Sequence, residues 1–127
     1  MLPSKVLNLI SSRIIGCGIE VHRRLGPGLL ESVYDEAMSL EFHYQKVSFK
    51  RQVAVPIRYR DQELAVPLKL DFLIADTVIL ELKAVEMLLP VHQAQLLSYL
   101  KLTGKQLGLL MNFNVATLKE GIRRMRC

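Results

Sequence analysis

The 127-residue chain has few of the residues that mark several protein classes. It has two cysteines and no tryptophan, and neither cysteine has a second Cys or a His at zinc-finger spacing. Cys17 and Cys127 are therefore predicted to be a buried thiol and a terminal thiol, not a disulfide. No uncharged apolar run reaches the ~20 residues of a membrane span, and no continuous apolar segment near the N-terminus indicates a signal peptide. We expect a cytoplasmic protein with no membrane partner.

The composition indicates a globular domain with a basic surplus. Hydrophobic residues make up 50% of the chain and charged residues 23%, and the length suits one core. Seventeen Lys and Arg against twelve Asp and Glu give a net charge of +5. Such a charge favours polyanions, of which nucleic acid is the commonest, but it does not separate a nuclease from a passive binder. A mean hydropathy of +0.23 favours an apolar patch and a homo-oligomer.

The hydrophobic periodicity predicts a single α/β domain over residues 1–127. Apolar residues between Leu7 and Leu25 recur at steps of three and four, as in an amphipathic helix. Ser4 is a suitable cap for this helix, and Gly26-Pro27-Gly28 should end it. Beyond it we expect a second helix, three strands, a third helix, a buried strand and a closing helix, which together would form a mixed sheet flanked by helices. The expected positions are residues 30–44, 53–59, 64–74, 78–84, 90–104, 107–113 and 116–126.

Two carboxylates are placed symmetrically in the strand-rich part of the sequence. Asp71 and Glu81 each lie five residues from Asp76. If a hairpin turns around Asp76 with an odd-numbered loop, the carboxylates face each other on one side of the sheet, with Cβ atoms about 5 Å apart. A two-residue loop would place them on opposite faces and remove the site. A divalent cation between them would relieve their repulsion, since oxygen ligands suit ions such as Mg²⁺.

Lys83 lies two residues beyond Glu81, so strand alternation returns it to the same face. There it can stabilise a phosphate oxygen or help to deprotonate an attacking water. The neighbouring strand residues are apolar, and charges in buried strands need a partner or a function. The alternative interpretation is that Glu81 and Lys83 form ordinary ion pairs on a solvated face of the sheet.

The helix after these strands carries a row of polar side chains. His92, Gln95 and Tyr99 are spaced three and four apart and share one helix face. Gln95 and Tyr99 can orient a water, bind a phosphate or support a metal ligand. The alternative is a polar helix face with one amphipathic tyrosine.

Together these residues resemble the PD-(D/E)XK nuclease superfamily. Asp71 followed by Glu81-Leu82-Lys83 is similar to its core motif, and Gln95-x-x-x-Tyr99 is similar to the helix motif of its RecB-like exonuclease branch. Residues 28–34, Gly-Leu-Leu-Glu-Ser-Val-Tyr, match the sequence after which the GxxExxY protein family is named. The resemblance extends from about residue 14 to about residue 124. The sequence departs from the superfamily pattern at Leu70, where a proline would precede the aspartate.

The resemblance implies a restriction-endonuclease-like fold and a metal-dependent nuclease that hydrolyses phosphodiester bonds of DNA, with RNA as the alternative. It implies that Asp71 and Glu81 bind Mg²⁺ or Mn²⁺ and that Glu31 is an additional metal ligand. Tyr34 either packs against the first helix or takes part in function. A catalytically inactive nuclease fold that binds nucleic acid or another protein is the rival hypothesis. The implied catalytic residues are Asp71, Glu81, Lys83, Glu31, Gln95 and Tyr99.

Overall fold

The computed structural model describes residues 1–127. Its helices follow the periodic apolar segments, and its strands follow the alternating or continuously apolar ones. The elements are α1 (Ser4–Leu25), α2 (Glu31–Tyr44), β1 (Phe49–Val55), β2 (Arg58–Tyr59), β3 (Gln62–Glu63), β4 (Leu68–Ile74), β5 (Val78–Lys83), α3 (Pro90–Thr103), β6 (Leu107–Asn112), a 3₁₀ helix (Leu118–Gly121) and β7 (Ile122–Arg126).

Five strands form one mixed sheet in the order β1–β4–β5–β6–β7. β4 runs antiparallel to both of its neighbours, β1 and β5, and α3 is the crossover that allows β5 and β6 to pair in parallel. β7 returns antiparallel to β6 at the far edge, and β2 and β3 form a separate hairpin. The predicted mixed sheet flanked by helices is confirmed.

The two faces of the sheet are buried under different helices. One hydrophobic cluster joins residues of α1 and α2 to one face, and a smaller cluster joins Leu96 and Leu100 of α3 to the other. In β5, Leu80 and Leu82 belong to the first cluster, whereas Ile79 belongs to the second. Because side chains alternate along a strand, Glu81 and Lys83 share the α3 face with Ile79.

The end of α1 was predicted correctly from the sequence, but its N-terminal cap was not. Gly26 ends α1 with φ of 71°, and Gly28 has φ of 94°, so the Gly-Pro-Gly segment stops the helix as expected. The predicted cap was wrong, because Ser4 is the first residue of α1 and the capping position is Pro3, which makes no side-chain capping bond.

The predicted closing helix at residues 116–126 is wrong. Its first part is the short 3₁₀ helix, and its last part is β7, which pairs with β6 from Leu107↔Arg126 to Met111↔Ile122. Helix propensity is a weak preference, and pairing with the open edge of a buried strand overrides it. The arginines of β7 then lie along the sheet edge, where charge discourages pairing with another chain.

The first predicted strand is divided by a proline. β1 ends at Val55, and β2 begins only at Arg58, because Pro56 has no N–H to donate to a ladder. The strand expected from residue 64 begins at Leu68.

The remaining general expectations concern thiols and membranes. Cys17 is a buried free thiol and Cys127 an exposed one, as predicted. Burial raises the pKa of Cys17 to about 11, so this thiol stays protonated and unreactive. Every helix is too short or too polar to cross a bilayer.

Candidate active site

The β4–β5 hairpin sets the positions of the two symmetric carboxylates. Ile74 pairs with Val78, which leaves a loop of three residues whose first two, Ala75 and Asp76, have left-handed backbone with φ of 51° and 54°. The loop therefore has the odd number of residues that places positions 71 and 81 opposite each other.

The carboxylates replace main-chain pairing at this point of the hairpin. The last ladder pair is Phe72↔Leu80. Beyond it, the Asp71 N–H donates to Glu81 Oε2 at 2.9 Å, and the Leu82 N–H donates to Asp71 Oδ2 at 2.9 Å. Each carboxylate is thus held by the main chain of the other strand through one oxygen, and its second oxygen is left for another ligand.

The local electrostatics disfavour two negative charges. Burial and the neighbouring Asp71 carboxylate raise the pKa of Glu81 from 4.5 to about 8. Burial is also the main cause of the raised pKa of Asp71, and it outweighs the hydrogen bond from Leu82 and the charge of Lys83. Near neutral pH this pair therefore carries a proton unless a cation compensates the second charge.

Helix α3 brings its polar face to the same place. Lys83 Nζ donates to Gln95 Oε1 at 3.4 Å. The pKa of Tyr99 is raised by burial and then by the charges of Glu81 and Asp71, so its phenol lies within electrostatic reach of both. His92 serves a different purpose, because its Nδ1 accepts the Leu89 N–H at 3.0 Å and caps the helix.

Glu31 approaches the carboxylate pair from the other side. It is the first residue of α2, where a negative charge is favoured by the helix dipole. Partial burial and the charge of Asp71 raise its pKa, whereas Lys83 lowers it. Glu31 and Asp71 also line one cleft. The structure therefore brings all six residues named from the sequence to one region.

That cleft has a volume of about 570 Å³ and no hydrophobic residue in its wall. Sequence reasoning missed Asp35, which lies one turn beyond Glu31 and shares its helix face. Asp35 accepts a hydrogen bond from Arg51 across the cleft, and Arg51 also contacts Glu36 at 3.2 Å. The residues that line the cleft are Glu31, Ser32, Asp35, Glu36, Arg51, Gln52 and Asp71.

Tyr34 fastens the loop that presents Glu31. Its ring is fully buried and stacks on Phe113 with 4.5 Å between ring centroids. Its hydroxyl donates to the Gly26 oxygen at 2.6 Å and accepts the Leu29 N–H at 3.1 Å. Tyr34 is thus a packing residue that ties the Gly-Pro-Gly segment to α2.

Changing Tyr34 to phenylalanine is expected to lower the free energy of unfolding by about 1–3 kcal/mol, because two main-chain groups lose their partner. Chemical denaturation measures this directly. Tyr44→Phe is the matched control on the same helix, since that ring is 80% exposed, and it should leave stability nearly unchanged. Equal stability of both variants would contradict the fastening role.

The fit of this region to a metal ion can be judged from its donors. No three His, Cys, Asp or Glu side chains form a preassembled metal-binding group. Asp71 and Glu81 nevertheless offer two fixed carboxylates with raised pKa values and one oxygen each to spare. Oxygen donors of this kind fit a hard divalent cation, which would offset their repulsion.

A comparison with protein families gives a match. A family model described as PD-(D/E)XK nuclease superfamily matches residues 8–125, which is nearly the whole chain and includes every residue of the site. No curated protein matches the sequence.

Proposed function

The chain belongs to the PD-(D/E)XK nuclease superfamily, and from this premise we propose that it is a metal-dependent nuclease that hydrolyses phosphodiester bonds of DNA. The observation that carries the proposal is the reciprocal hydrogen bonding of Asp71 and Glu81 across the end of the β4–β5 ladder. This arrangement fixes the buried carboxylate of Glu81 and the half-buried carboxylate of Asp71 beside a lysine, and we infer that one cation would contact both.

The roles follow from the contacts. Asp71 and Glu81 would hold Mg²⁺ or Mn²⁺, with Glu31 as an additional ligand from α2. The ion, when bound, lowers the pKa of a coordinated water and stabilises negative charge on the phosphate. Lys83 would neutralise a phosphate oxygen or orient the attacking water, and Gln95 supports this role by its contact with the lysine Nζ.

Two finer assignments belong to the same proposal. The GxxExxY family is supported by Gly28, Glu31 and Tyr34, since left-handed Gly28 and the Tyr34 hydroxyl shape the loop from which Glu31 projects. The RecB-like helix motif is supported by Gln95 and Tyr99, which both lie near the carboxylates. The net positive charge supports a nucleic-acid substrate in general; DNA is the substrate proposed, and RNA is the alternative.

The direct test incubates labelled single- and double-stranded DNA and RNA with the protein and Mg²⁺ or Mn²⁺. Cleavage that a chelator abolishes supports the proposal. Binding that weakens with salt, without cleavage under any metal, would instead indicate an inactive nuclease-fold binder. A homo-oligomer is a separate prediction, supported by exposed side chains such as Leu9 and Leu40, and size in solution tests it.

Lys83→Ala is expected to reduce cleavage by about a hundredfold or more, because the reaction loses the ammonium group that lies beside the carboxylates. The fold should persist, since Lys83 is half-buried at the end of β5. Rates of cleavage at saturating metal measure the effect. Lys69→Ala, an exposed lysine on β4, is the matched control and should retain full activity. Equal rates for the two variants would remove Lys83 from the mechanism.

A further inference from the structure

A distortion in strand β1 lies directly opposite Asp71. Gln52 has φ of 50°, a left-handed conformation that residues other than glycine rarely adopt. On either side of it the ladder to β4 is regular, with Arg51↔Phe72 and Val53↔Leu70, but Gln52 and Asp71 do not pair. The break in the ladder is therefore one residue wide and centred on the catalytic position.

The side chains of β1 change faces across this break. Phe49 packs against the cluster under α1 and α2, whereas Val53 and Val55 pack against the cluster under α3. In a regular strand, residues at these even spacings would share one face. The backbone of Gln52 is where the strand rotates.

Strand β4 rotates at the matching residue. Phe72 and Ile74 belong to the α1–α2 cluster, and Leu68 and Leu70 belong to the α3 cluster. The change falls between Leu70 and Phe72, at Asp71. Asp71 has no ladder partner in β1, and the ladder between β4 and β5 ends at the adjacent residue, Phe72.

In a regular sheet the N–H of Asp71 would donate to a main-chain oxygen, but here Asp71 bonds to β5 through its N–H and its carboxylate. Its N–H donates to Glu81 Oε2, and its Oδ2 accepts the Leu82 N–H. The side chain of Gln52 is exposed in the cleft, so it is the backbone of this residue, not the packing of its amide, that accompanies the break.

We propose that the left-handed backbone of Gln52 is a positioning element that keeps Asp71 out of the β1–β4 ladder and turned toward Glu81. The inference rests on the proposed function, because it gives the bend a purpose in holding the carboxylate pair for a metal ion. Strain of this kind persists where the surrounding structure enforces it, and it is frequent at functional sites.

The test separates the backbone from the side chain. Gln52→Gly removes the amide but favours the left-handed backbone, whereas Gln52→Val strongly disfavours it. We expect the Gly variant to bind Mn²⁺ within about twofold of the parent, and the Val variant to lose about ten- to a hundredfold in Mn²⁺ affinity. Calorimetry with Mn²⁺ alone measures the affinity. Ala54→Val, an exposed position on the regular part of β1, is the control and should change neither.

Two further measurements keep the proposal open to contradiction. If Gln52→Val does not fold, Gln52→Thr keeps a polar side chain at this exposed position but is also β-branched, so it should give a loss of Mn²⁺ affinity in the same direction. The amide resonance of Asp71, which reports its bond to Glu81, should be unchanged in the Gly variant and shifted in the Thr and Val variants. Damage by Gly equal to that by Val, or an unchanged Asp71 amide in the Thr and Val variants, would overturn the positioning role.

The two proposals fail in different ways. A parent protein that cleaves DNA, with variants that all bind Mn²⁺ equally, contradicts the role of Gln52 and leaves the nuclease assignment intact. A parent that never cleaves, but whose Asp71 amide and Mn²⁺ affinity follow the bend, contradicts the nuclease assignment alone.

Discussion

Asp71→Asn is expected to reduce metal-dependent cleavage by about a thousandfold while the protein stays folded. The asparagine oxygen can still accept the Leu82 N–H, which is the bond that Asp71 Oδ2 accepts at 2.9 Å, so the strand geometry has no reason to change. What disappears is one of the two negative charges that would hold the cation. Cleavage rates over a range of Mn²⁺ concentrations measure the loss, and thermal unfolding checks the fold.

The same chemical change five residues along the chain provides the control. Asp76→Asn alters an exposed carboxylate at the tip of the same hairpin, and asparagine tolerates the left-handed backbone found there. This variant should cleave at the parent rate. If Asp71→Asn also cleaves at that rate, Asp71 does not hold the metal and the assignment of the site fails.

The central hairpin could be predicted because its information is local. Asp71 and Glu81 are equally far from Asp76, so whether they face each other depends only on the loop length. The pairing of Ile74 with Val78 gives the odd-numbered loop. Strand alternation then places Lys83 beside Glu81 without any knowledge of the rest of the fold. The placement of Gln95 and Tyr99 beside the carboxylates required one further assumption, that α3 packs on this face of the sheet.

Other features depend on contacts between distant segments. The identity of residues 122–126 does not reveal that β6 has an open edge, so the sequence favoured a helix where β7 forms. The left-handed backbone of Gln52 has no sequence signal, because the residue is neither Gly nor Asn. Asp35 could have been found from the sequence, because it shares a helix face with Glu31. Its ion pair with Arg51 could not, because the two residues are 16 positions apart and lie on different elements.

Glu81→Gln is expected to abolish cleavage and also to make the metal-free protein more stable at alkaline pH. The folded protein holds the Glu81 proton with a pKa of about 8, against an ordinary value of 4.5. Because the folded pKa is the higher one, the stabilising contribution of the protonated group is complete below pH 4.5 and is lost as the pH rises to about 8. Glutamine never ionises, so the variant keeps this contribution.

The advantage of the variant should therefore be small near pH 4.5 and grow to on the order of 5 kcal/mol above pH 8, since each pKa unit corresponds to about 1.4 kcal/mol. Denaturant unfolding of the two proteins at a series of pH values in the presence of a chelator gives the difference directly. Glu86→Gln, an exposed carboxylate beyond the end of β5, is the control and should show no such trend.

Divalent metal should narrow this difference in stability. A cation that binds the ionised pair stabilises the parent by mass action, and it gains less from a site with one charge fewer. We expect Mn²⁺ to raise the melting temperature of the parent at pH 8 more than that of Glu81→Gln. A stability difference that does not vary with pH would show that Glu81 is not the buried titrating group. A variant with unchanged cleavage would remove Glu81 from the catalytic site, because the carboxylate with the most perturbed pKa would then have no part in the chemistry.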